Sequence, residues 1–350
     1  MNPADRPRYS VVIPARNAAS VIAECLAALA DQTIAESGEV IVVDDGSTDL
    51  TVWRANSVSI PHLRVLNQAA IGKSAARNAG LAEARGNIVL FTDADCIPTA
   101  DFAERILAPF ADPTVTGARG VYRSQQTSLV ARFVQVEFEE KYRCLAASQA
   151  RAGRIDFADT YATAYRRDVL VALGGFDESF VGAEDAELSF RVVANGYRLV
   201  YVADAIVVHR HPTTLRDYFA RKASYAFWRA QVFHRYPARM ARDSYTPRTI
   251  PLQMAFAILL PGAVLLAPLA VRLGGRRAKR VTGITAWALT VGFISVTLPF
   301  ATRVARSDLA LALAIPSLVY ARALVQGIAM AAGLVFAGSL AGRSLVGHRR

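Results

Sequence analysis

Two aspartates follow a short apolar run in the stretch NIVLFTDADCIP, residues 87–98. The run from Ile88 to Phe91 is typical of a strand buried on both faces, because it is short, apolar and bounded by turn-forming residues. Asp93 and Asp95 then lie at the carboxyl end of that strand, where open α/β sheets bind ligands. Hard oxygen ligands at this spacing suit Mg²⁺ or Mn²⁺, and such a metal in turn suits a diphosphate. The alternative is an Asp-rich turn that caps a helix over 100–110.

Three further strand patterns precede this one. The predicted strands are 9–14, 39–44, 63–66 and 88–91, with helices over 18–31, from Leu50, and over 73–84 between them. Strands connected by helices predict a Rossmann-like α/β domain with a mainly parallel sheet and a nucleotide crevice. Asp44 and Asp45, at the end of the second strand, are positioned to accept hydrogen bonds from a base or a ribose. Helix capping is the alternative role for this pair.

The predicted helix that follows Gly72 begins with the polar residues Lys73, Arg77 and Asn78. Gly72 and Lys73 resemble a phosphate loop only superficially, because the other glycines of that motif are missing, and an ATPase is excluded. Arg77 and Asn78, one turn further on, are interpreted as a solvated helix face. The three cysteines are too few and too scattered for a disulfide framework or a zinc site, which indicates a reducing compartment.

Charge is divided unequally along the chain. Residues 1–208 carry 20 Lys and Arg against 26 Asp and Glu, whereas residues 209–350 carry 20 against 3. An acidic α/β part followed by a basic, apolar part indicates a catalytic domain attached to an anionic membrane surface. Long apolar runs separate the basic residues, so no nucleic-acid partner is expected. The first ten residues lack an apolar signal-peptide core, and the amino-terminal domain is expected to stay in the cytoplasm.

The carboxyl-terminal part is predicted to be a membrane region. Residues 213–236 combine aromatic and basic side chains, which suits a helix in the headgroup layer. Three apolar blocks follow, at 252–271, 281–301 and 309–340. The expected division is a catalytic domain over 1–211, an amphipathic interfacial helix and linker over 212–250, and a transmembrane region over 251–350.

The distribution of charge predicts two membrane crossings. The short loop 272–280 is strongly basic, and such loops normally stay on the cytoplasmic side. The first apolar block would therefore enter and return on that side, with a break in its helix at Pro261 and Gly262. The second block would run outward and leave 302–308 external. The third would return the terminus, with Arg349 and Arg350, to the cytoplasm.

Seven motifs occur in order along residues 9–211. They are VVIPARN at 11–17, VVDDGSTD at 42–49, GKSAARNAG at 72–80, FTDADCIP at 91–98, GGFDES at 174–179, GAEDAELSFRV at 182–192 and Val-Val-His at 207–209. Together they resemble the family-2 glycosyltransferases, which have the GT-A fold. The nucleotide-sugar pocket implied by this resemblance consists of Pro14, Asn17, Asp44, Asp45, Lys73 and Asp93. Asp93 and Asp95 match the Asp-x-Asp pair that holds ribose and metal.

Asp185 matches the carboxylate base of an inverting transfer in that family, with Glu184 beside it. Asp185 also lies at the start of a predicted helix, whose macrodipole favours an ionised carboxylate; a simple helix cap is the alternative. A base is needed when the acceptor is a hydroxyl, whereas a phosphate acceptor is already ionised. Glu187 departs from the Asp that the family often has there, which leaves the acceptor contacts open. His209, after a strand over 199–208, is a candidate further metal ligand.

The expected protein is a membrane-bound inverting glycosyltransferase whose catalytic domain faces the cytoplasm at the inner membrane. It would move a sugar from a nucleotide-diphosphate donor, with UDP as the expected nucleotide, to a hydroxyl of a lipid or lipid-linked acceptor in envelope glycoconjugate synthesis. A divalent metal, Mg²⁺ or Mn²⁺, would be the cofactor. The alternatives are a membrane nucleotidyltransferase and a non-catalytic nucleotide-sugar-binding subunit.

Overall fold

Four parallel strands form one half of an eight-stranded sheet. They are β1 (Tyr9–Ala15), β2 (Gly38–Asp45), β3 (Leu63–Gln68) and β4 (Ile88–Phe91). The computed structural model describes residues 6–241 and 243–347. In it β2 and β4 are buried along their whole length, because their apolar side chains cover both faces of the sheet. The α/β class predicted from the sequence is confirmed.

Of the other half of the sheet, the sequence patterns predict only the last strand. This half contains β5 (Cys96–Pro98), β6 (Val115–Arg123), β7 (Thr163–Arg166) and β8 (Arg198–His209). The strand order is β3-β2-β1-β4-β7-β6-β8-β5, and β7 runs antiparallel to both of its neighbours. β5 pairs with β8 and sets Cys96 opposite His209. That pairing brings the end of β8 to the aspartates that follow β4.

Helices cover the sheet and connect its strands. They are α1 (Ile22–Ala30), α2 (Thr51–Asn56), α3 (Lys73–Glu83), α4 (Phe102–Leu107), α5 (Leu129–Ala152), α6 (Arg167–Ala172) and α7 (Glu184–Ala194), with 3₁₀ turns at Ala35–Ser37 and Ala108–Ala111. α3 packs directly on β1, because a β-carbon at Gly80 would lie 2.3 Å from Val12 Cγ1. This close approach holds α3 against the sheet, and with it Lys73 and Arg77 in the first turns of the helix.

The described chain divides into two compact units. The first contains residues 6–126, 141–211 and 243–245, and the second contains 127–140, 212–241 and 246–347. The second unit is helical, with α8 (Leu215–Arg235), α9 (Pro237–Ala241), α10 (Thr249–Val304) and α11 (Leu309–Gly347) as well as the start of α5. The domain boundaries expected at 211 and 250 stay predictions.

Three helical segments of the second unit are long and apolar enough to cross a membrane. They are the first arm of α10 (Thr249–Arg272), its second arm (Gly274–Val304) and the segment Leu309–Ala337 of α11. The expected apolar carboxyl-terminal helices are therefore present. α8, which matches the predicted interfacial helix, packs along α11, where the Gln231 side chain donates a 2.7 Å hydrogen bond to the Gly333 carbonyl.

The two arms of α10 form an antiparallel pair that reverses at Gly275. Gln253 meets Thr297 at 3.4 Å, and a β-carbon at Gly292 would lie 2.7 Å from the Phe256 ring. Gly275 has φ 59° and ψ −141°, a conformation that glycine adopts without a β-carbon clash. The break expected at Pro261–Gly262 is wrong, because the helix continues through it. In apolar surroundings the backbone groups are best satisfied by continuing the helix, and one proline removes a single N–H donor.

The loop between α10 and α11 is tied to the start of α5. Arg132 of α5 pairs with Asp308 at 2.7 Å, and Arg303 pairs with Glu140 of α5. The basic residues of 272–280 lie at the opposite end of the antiparallel arms. The expectation that 302–308 is external stays a prediction. Arg349 and Arg350, which were expected to return to the cytoplasm, lie outside the described residues.

Glu137 of α5 is the centre of a buried charge cluster in the second unit. Its carboxylate pairs with Arg322 at 2.5 Å and with Lys222 at 2.9 Å, and it accepts a 3.0 Å hydrogen bond from the Tyr218 hydroxyl. Arg322 comes from α11 and also donates to Gln253 of the first arm. Buried charges are stable only when they are paired, so this cluster requires α5, α8, α10 and α11 to pack together.

We expect Glu137→Ala to destabilise the second unit by about 3–5 kcal/mol, because it leaves two buried cations without their carboxylate. Arg322→Met is the matched control: it should cost clearly less, since Lys222 still neutralises Glu137. Thermal unfolding in detergent measures both. Equal losses in the two variants would contradict the central role of Glu137.

Candidate active site

Hydrogen bonds join the turn after β1 to the turn after β2. Asn17 has a positive φ of 50° and accepts a 2.9 Å hydrogen bond from the Thr48 N–H, while its own N–H donates to the Ser47 hydroxyl at 2.9 Å. Pro14 precedes this turn in β1, where it is half-buried and pairs with Val43 of β2. The structure therefore brings these two predicted pocket residues to the carboxyl end of the sheet.

Asp44 and Asp45 are both buried but have different surroundings. Asp45 accepts hydrogen bonds from the Gln68 side chain (2.8 Å) and from the backbone N–H groups of Ile71 and Gly72 (both 3.0 Å). Asp45 thus holds the loop that leads into α3. Asp44 accepts one 3.1 Å bond from the Ser47 N–H through Oδ2, and its buried Oδ1 has no partner among the described residues. That oxygen therefore keeps its capacity to accept a hydrogen bond.

Arg77 joins the two predicted acidic sites. Its Nη2 donates to Asp93 Oδ1 and its Nη1 donates to Glu184 Oε1, each at 2.8 Å. The solvated face expected for this residue is wrong, because only 2% of the side chain is exposed. Burial works against the charge, but the two carboxylates outweigh it and raise the pKa of Arg77. A signal was present in the sequence, since Gly80 and Leu81 follow at helical spacing and are buried on the same helix.

Asn78, also expected to be solvated, fastens the turn before α7. Its side-chain oxygen accepts from the Phe176 N–H at 2.8 Å, and its nitrogen donates to the Phe176 carbonyl at 2.9 Å. Glu187 supports the same region from α7: it is fully buried and pairs with Arg191, which donates to the carbonyls of Leu173 and Gly175. Glu187 therefore serves the structure of this turn.

Glu184 and Asp185 are neighbours at the start of α7 with opposite electrostatic surroundings. Glu184 Oε1 forms ion pairs with Lys73 Nζ, at 2.7 Å, and with Arg77. Burial raises the pKa of Glu184, but Arg77 and then Lys73 outweigh it, and the pKa is lowered. Burial, the Glu184 charge and the Asp159 charge together raise the pKa of Asp185 to about 7. Glu184 is thus held as an ionised anchor, and Asp185 is able to exchange a proton near neutral pH.

Asp95 and His209 form a pair of ligand atoms beside Asp93. His209 Nε2 lies 3.0 Å from Asp95 Oδ2, although the two residues are 114 positions apart. The His209 ring stacks on Tyr122, with centroids 4.5 Å apart. Its buried Nδ1 has no hydrogen-bond partner in the part of the chain that the structure describes, so the Tyr122 ring fixes the plane of the imidazole.

This pair fits a divalent cation. Two adjacent ligands of an octahedral ion at about 2.1 Å are separated by about 3 Å, which is the spacing observed. Cys96 belongs to the same group of atoms, but burial raises the pKa of its thiol, which stays protonated and is a poor ligand for a hard cation. Asp93 and Asp95 remain 35% and 42% exposed and can reach a ligand from solvent. The donor set is therefore one imidazole with one or two carboxylates.

Comparison with known proteins agrees with this geometry. The model of a family described as "Glycosyl transferase family 2" matches residues 10–174. Glycosyltransferase AglE of Haloferax volcanii is 30% identical over 207 residues, which are 58% of this chain and 67% of that protein. The chain belongs to glycosyl transferase family 2. The family recognised from the seven motifs is confirmed.

Two further likenesses extend the comparison. Pre-mycofactocin glycosyltransferase of Mycobacterium tuberculosis is 33% identical over 244 residues, which cover 66% of this chain and 49% of that protein. The chain thus spans about half the length of this relative. The solved structure of mannosyltransferase PcManGT from Pyrobaculum calidifontis, in complex with GDP-Man and Mn²⁺, is 26% identical with a TM-score of 0.60. The match covers 95% of this chain and 88% of that one, and the expected GT-A fold is confirmed.

Metal binding tests the ligand pair. Asp95→Ala should abolish the binding of Mn²⁺ with nucleoside diphosphate, because it removes the carboxylate that faces His209, and His209→Ala should weaken it in part. His211→Ala is the matched control, since its ring is equally buried and lies 5.7 Å from that of His209. Calorimetry measures all three variants. Unchanged metal dependence in Asp95→Ala would rule out this site.

Proposed function

We propose that this protein is a membrane-anchored inverting glycosyltransferase. It moves a sugar from a nucleotide-diphosphate sugar to a hydroxyl of a lipid or lipid-linked acceptor. The family, the likeness to a mannosyltransferase in complex with GDP-Man and Mn²⁺, and the three apolar segments support the donor class and the membrane location. The catalytic unit faces the cytoplasm, at the inner membrane, where nucleotide sugars are available.

The observation that carries the proposal is the position of Asp185 beside Glu184, whose carboxylate Lys73 and Arg77 hold in place. An acceptor hydroxyl must lose a proton as it attacks the anomeric carbon, and a base with a pKa near the working pH takes that proton best. Asp185, whose pKa is raised to about 7, meets this requirement. Glu184 is unsuited to it, because Lys73 and Arg77 hold its carboxylate ionised and fixed. Attack from the face opposite the leaving diphosphate inverts the anomeric centre.

The donor pocket is assigned to the turns after β1 and β2. The unpartnered Asp44 Oδ1 accepts a hydrogen bond from the base or the ribose, and Pro14 and Asn17 shape the pocket beside it. Lys73 is 49% exposed and can move from Glu184 toward a phosphate. Asp45 takes part indirectly, since it holds the loop before Lys73 in place.

Asp93, Asp95 and His209 would hold the divalent cation. Bound there, the ion supplies charge neutralisation for the diphosphate as it leaves. An imidazole among oxygen ligands favours Mn²⁺ over Mg²⁺, because Mg²⁺ prefers oxygen ligands alone. The nucleotide expected from the sequence is UDP, and hydrolysis of UDP-, GDP- and dTDP-sugars in detergent micelles determines which donor is used. Binding of a donor with no hydrolysis or transfer would indicate a non-catalytic subunit instead.

Asp185→Asn should lower turnover by roughly 10²- to 10⁴-fold, which is the effect of losing a general base. Donor and metal affinity should stay close to wild type, because Asp185 contacts neither group in this proposal. Asp177→Asn in the preceding exposed turn is the matched control and should keep full turnover. Steady-state kinetics with donor-binding calorimetry measures both. A fall in donor binding equal to the fall in turnover would refute the role of Asp185 as base.

The pH dependence should show opposite trends in activity and stability. kcat/KM should rise with pH and level off above about 7, because the base works only when Asp185 is ionised. The folded-state pKa lies above the value of an unfolded Asp, so the protein should lose stability relative to Asp185→Asn as the pH rises from about 4 to 7. Rate profiles and thermal unfolding across this range measure the two trends. A flat rate profile between pH 5 and 8 would contradict the assignment.

A further inference from the structure

The segment Asp243–Tyr245 lies between the amphipathic helices and the first apolar arm, yet it belongs to the first compact unit. The residues before it, through Ala241, and those after it, from Thr246, belong to the second unit. Ser244 and Tyr245 are both buried. A linker between two membrane-associated helices needs no such burial, so its contacts point to a specific role.

Ser244 and Tyr245 contact the loop that follows α5. The Ser244 N–H donates to Asp156 Oδ1 at 2.6 Å, and the Asp156 N–H donates to the Ser244 hydroxyl at 2.9 Å. The Tyr245 ring stacks on Phe157, with centroids 4.2 Å apart and planes inclined by 16°. Two reciprocal hydrogen bonds and one ring stack therefore hold residues 156–157 in a single position.

Tyr245 also covers the Arg119 guanidinium. The distance from that group to the Tyr245 ring centroid is 4.9 Å, shorter than to the rings of Tyr142, Phe157 or Tyr161. Arg119 is fully buried and forms a two-point ion pair with Asp159, at 2.8 and 2.6 Å. An aromatic face stabilises a desolvated cation, so the ring supports the Arg119–Asp159 pair.

The next residue of the same loop, Ala158, contacts the part of α7 that carries Asp185. The Ala158 N–H donates to the Ser189 hydroxyl at 2.9 Å. The Ser189 hydroxyl in turn lies 2.7 Å from the Asp185 carbonyl and 2.9 Å from the Ala158 carbonyl. The loop thus contacts Tyr245 through Phe157 and α7 through Ala158.

We infer that Tyr245, with Ser244, is a positioning residue that holds loop 156–161 against the turn of Asp185 and so fixes Asp159 beside the proposed base. The inference rests on the proposed function of Asp185. It extends the catalytic site to the linker that leads into the membrane helices, a segment that no site motif contains. Tyr245 acts through Phe157, Arg119 and Asp159, without contact to the reacting atoms.

The charges around Asp185 determine how its pKa changes when the contacts of Ser244 and Tyr245 with loop 156–161 are lost. Burial, then Glu184 and Asp159, raise the pKa of Asp185, and Lys73 lowers it. Tyr165 lies nearby on β7. Glu184 and Lys73 pair with each other at 2.7 Å. Release of the loop therefore removes the Asp159 charge, one of the causes that raise the pKa of Asp185. The acid limb of the rate profile should then move to lower pH.

The test compares Tyr245→Ala with Tyr245→Phe in the full chain, in detergent micelles, with hydrolysis of the preferred UDP-, GDP- or dTDP-sugar as the readout. Tyr245→Ala should move the acid limb of kcat/KM down by roughly 0.5 pH unit or more. It should also lower kcat by roughly 10-fold or more through misplacement of the base. Tyr245→Phe keeps the ring contacts with Phe157, Arg119 and Lys141, loses the 3.5 Å hydrogen bond from Lys141 to the hydroxyl, and should keep the wild-type profile.

A second variant covers a failure of Tyr245→Ala to fold. Ser244→Ala removes one of the two reciprocal hydrogen bonds and keeps the ring stack, so it should shift the acid limb in the same direction by a smaller amount. If the variant that folds loses thermal stability but keeps the wild-type kcat and the wild-type pH of the acid limb, the positioning role is refuted. Asp185→Asn separates the proposed base from the positioning role of Tyr245. If the acid limb is unchanged in Asp185→Asn, Asp185 is not the base. If the limb disappears in Asp185→Asn but keeps its wild-type pH in the Tyr245 and Ser244 variants, only the positioning role is refuted.

Discussion

The buried guanidinium of Arg77 is the interaction on which the candidate site depends. It bonds Asp93 after β4 and Glu184 at the start of α7, two residues brought together from 91 positions apart along the chain. Carboxylates gathered at one edge of a sheet repel one another, and a buried cation between two of them offsets that repulsion. Arg77 can reach both because Gly80 lets α3 lie directly on β1. The site is therefore a consequence of helix packing as much as of its acidic residues.

Glu184 and Asp185 are adjacent at the start of α7 but have different electrostatic surroundings. Lys73 and Arg77 both reach Glu184, which stays ionised, while Asp185 has Asp159 and Glu184 as charged neighbours and a raised pKa. The two residue types are nearly the same, so the difference in their pKa values comes from their surroundings. Ala183 precedes them with a positive φ of 57°, which turns the chain sharply into α7 and presents the two side chains to different surroundings.

In the second unit a different balance applies, because charges buried among apolar helices must be neutralised locally. Glu137 meets this need for Arg322 and Lys222, so three helices converge on one carboxylate. The reversal at Gly275 follows from backbone conformation, since a positive φ is easily available to glycine and the prolines at 261 and 268 leave the helix intact. Hydropathy correctly indicated the apolar segments but not their pairing. The spacing of apolar residues within one helix does not specify which other helix packs against it.

The sequence by itself determined the strands that lead to Asp44 and to Asp93, the helices that begin at Lys73 and Glu184, and the family, since these depend on local periodicity and on motifs read in order. The tertiary structure decided which of the polar residues meet. The insertion of β7, the pairing of β5 with β8 that sets His209 against Asp95, and the burial of Arg77 and Asn78 all depend on partners distant in sequence. Local patterns record which face of an element is apolar, whereas the partner of a buried charge is known only when the elements have packed.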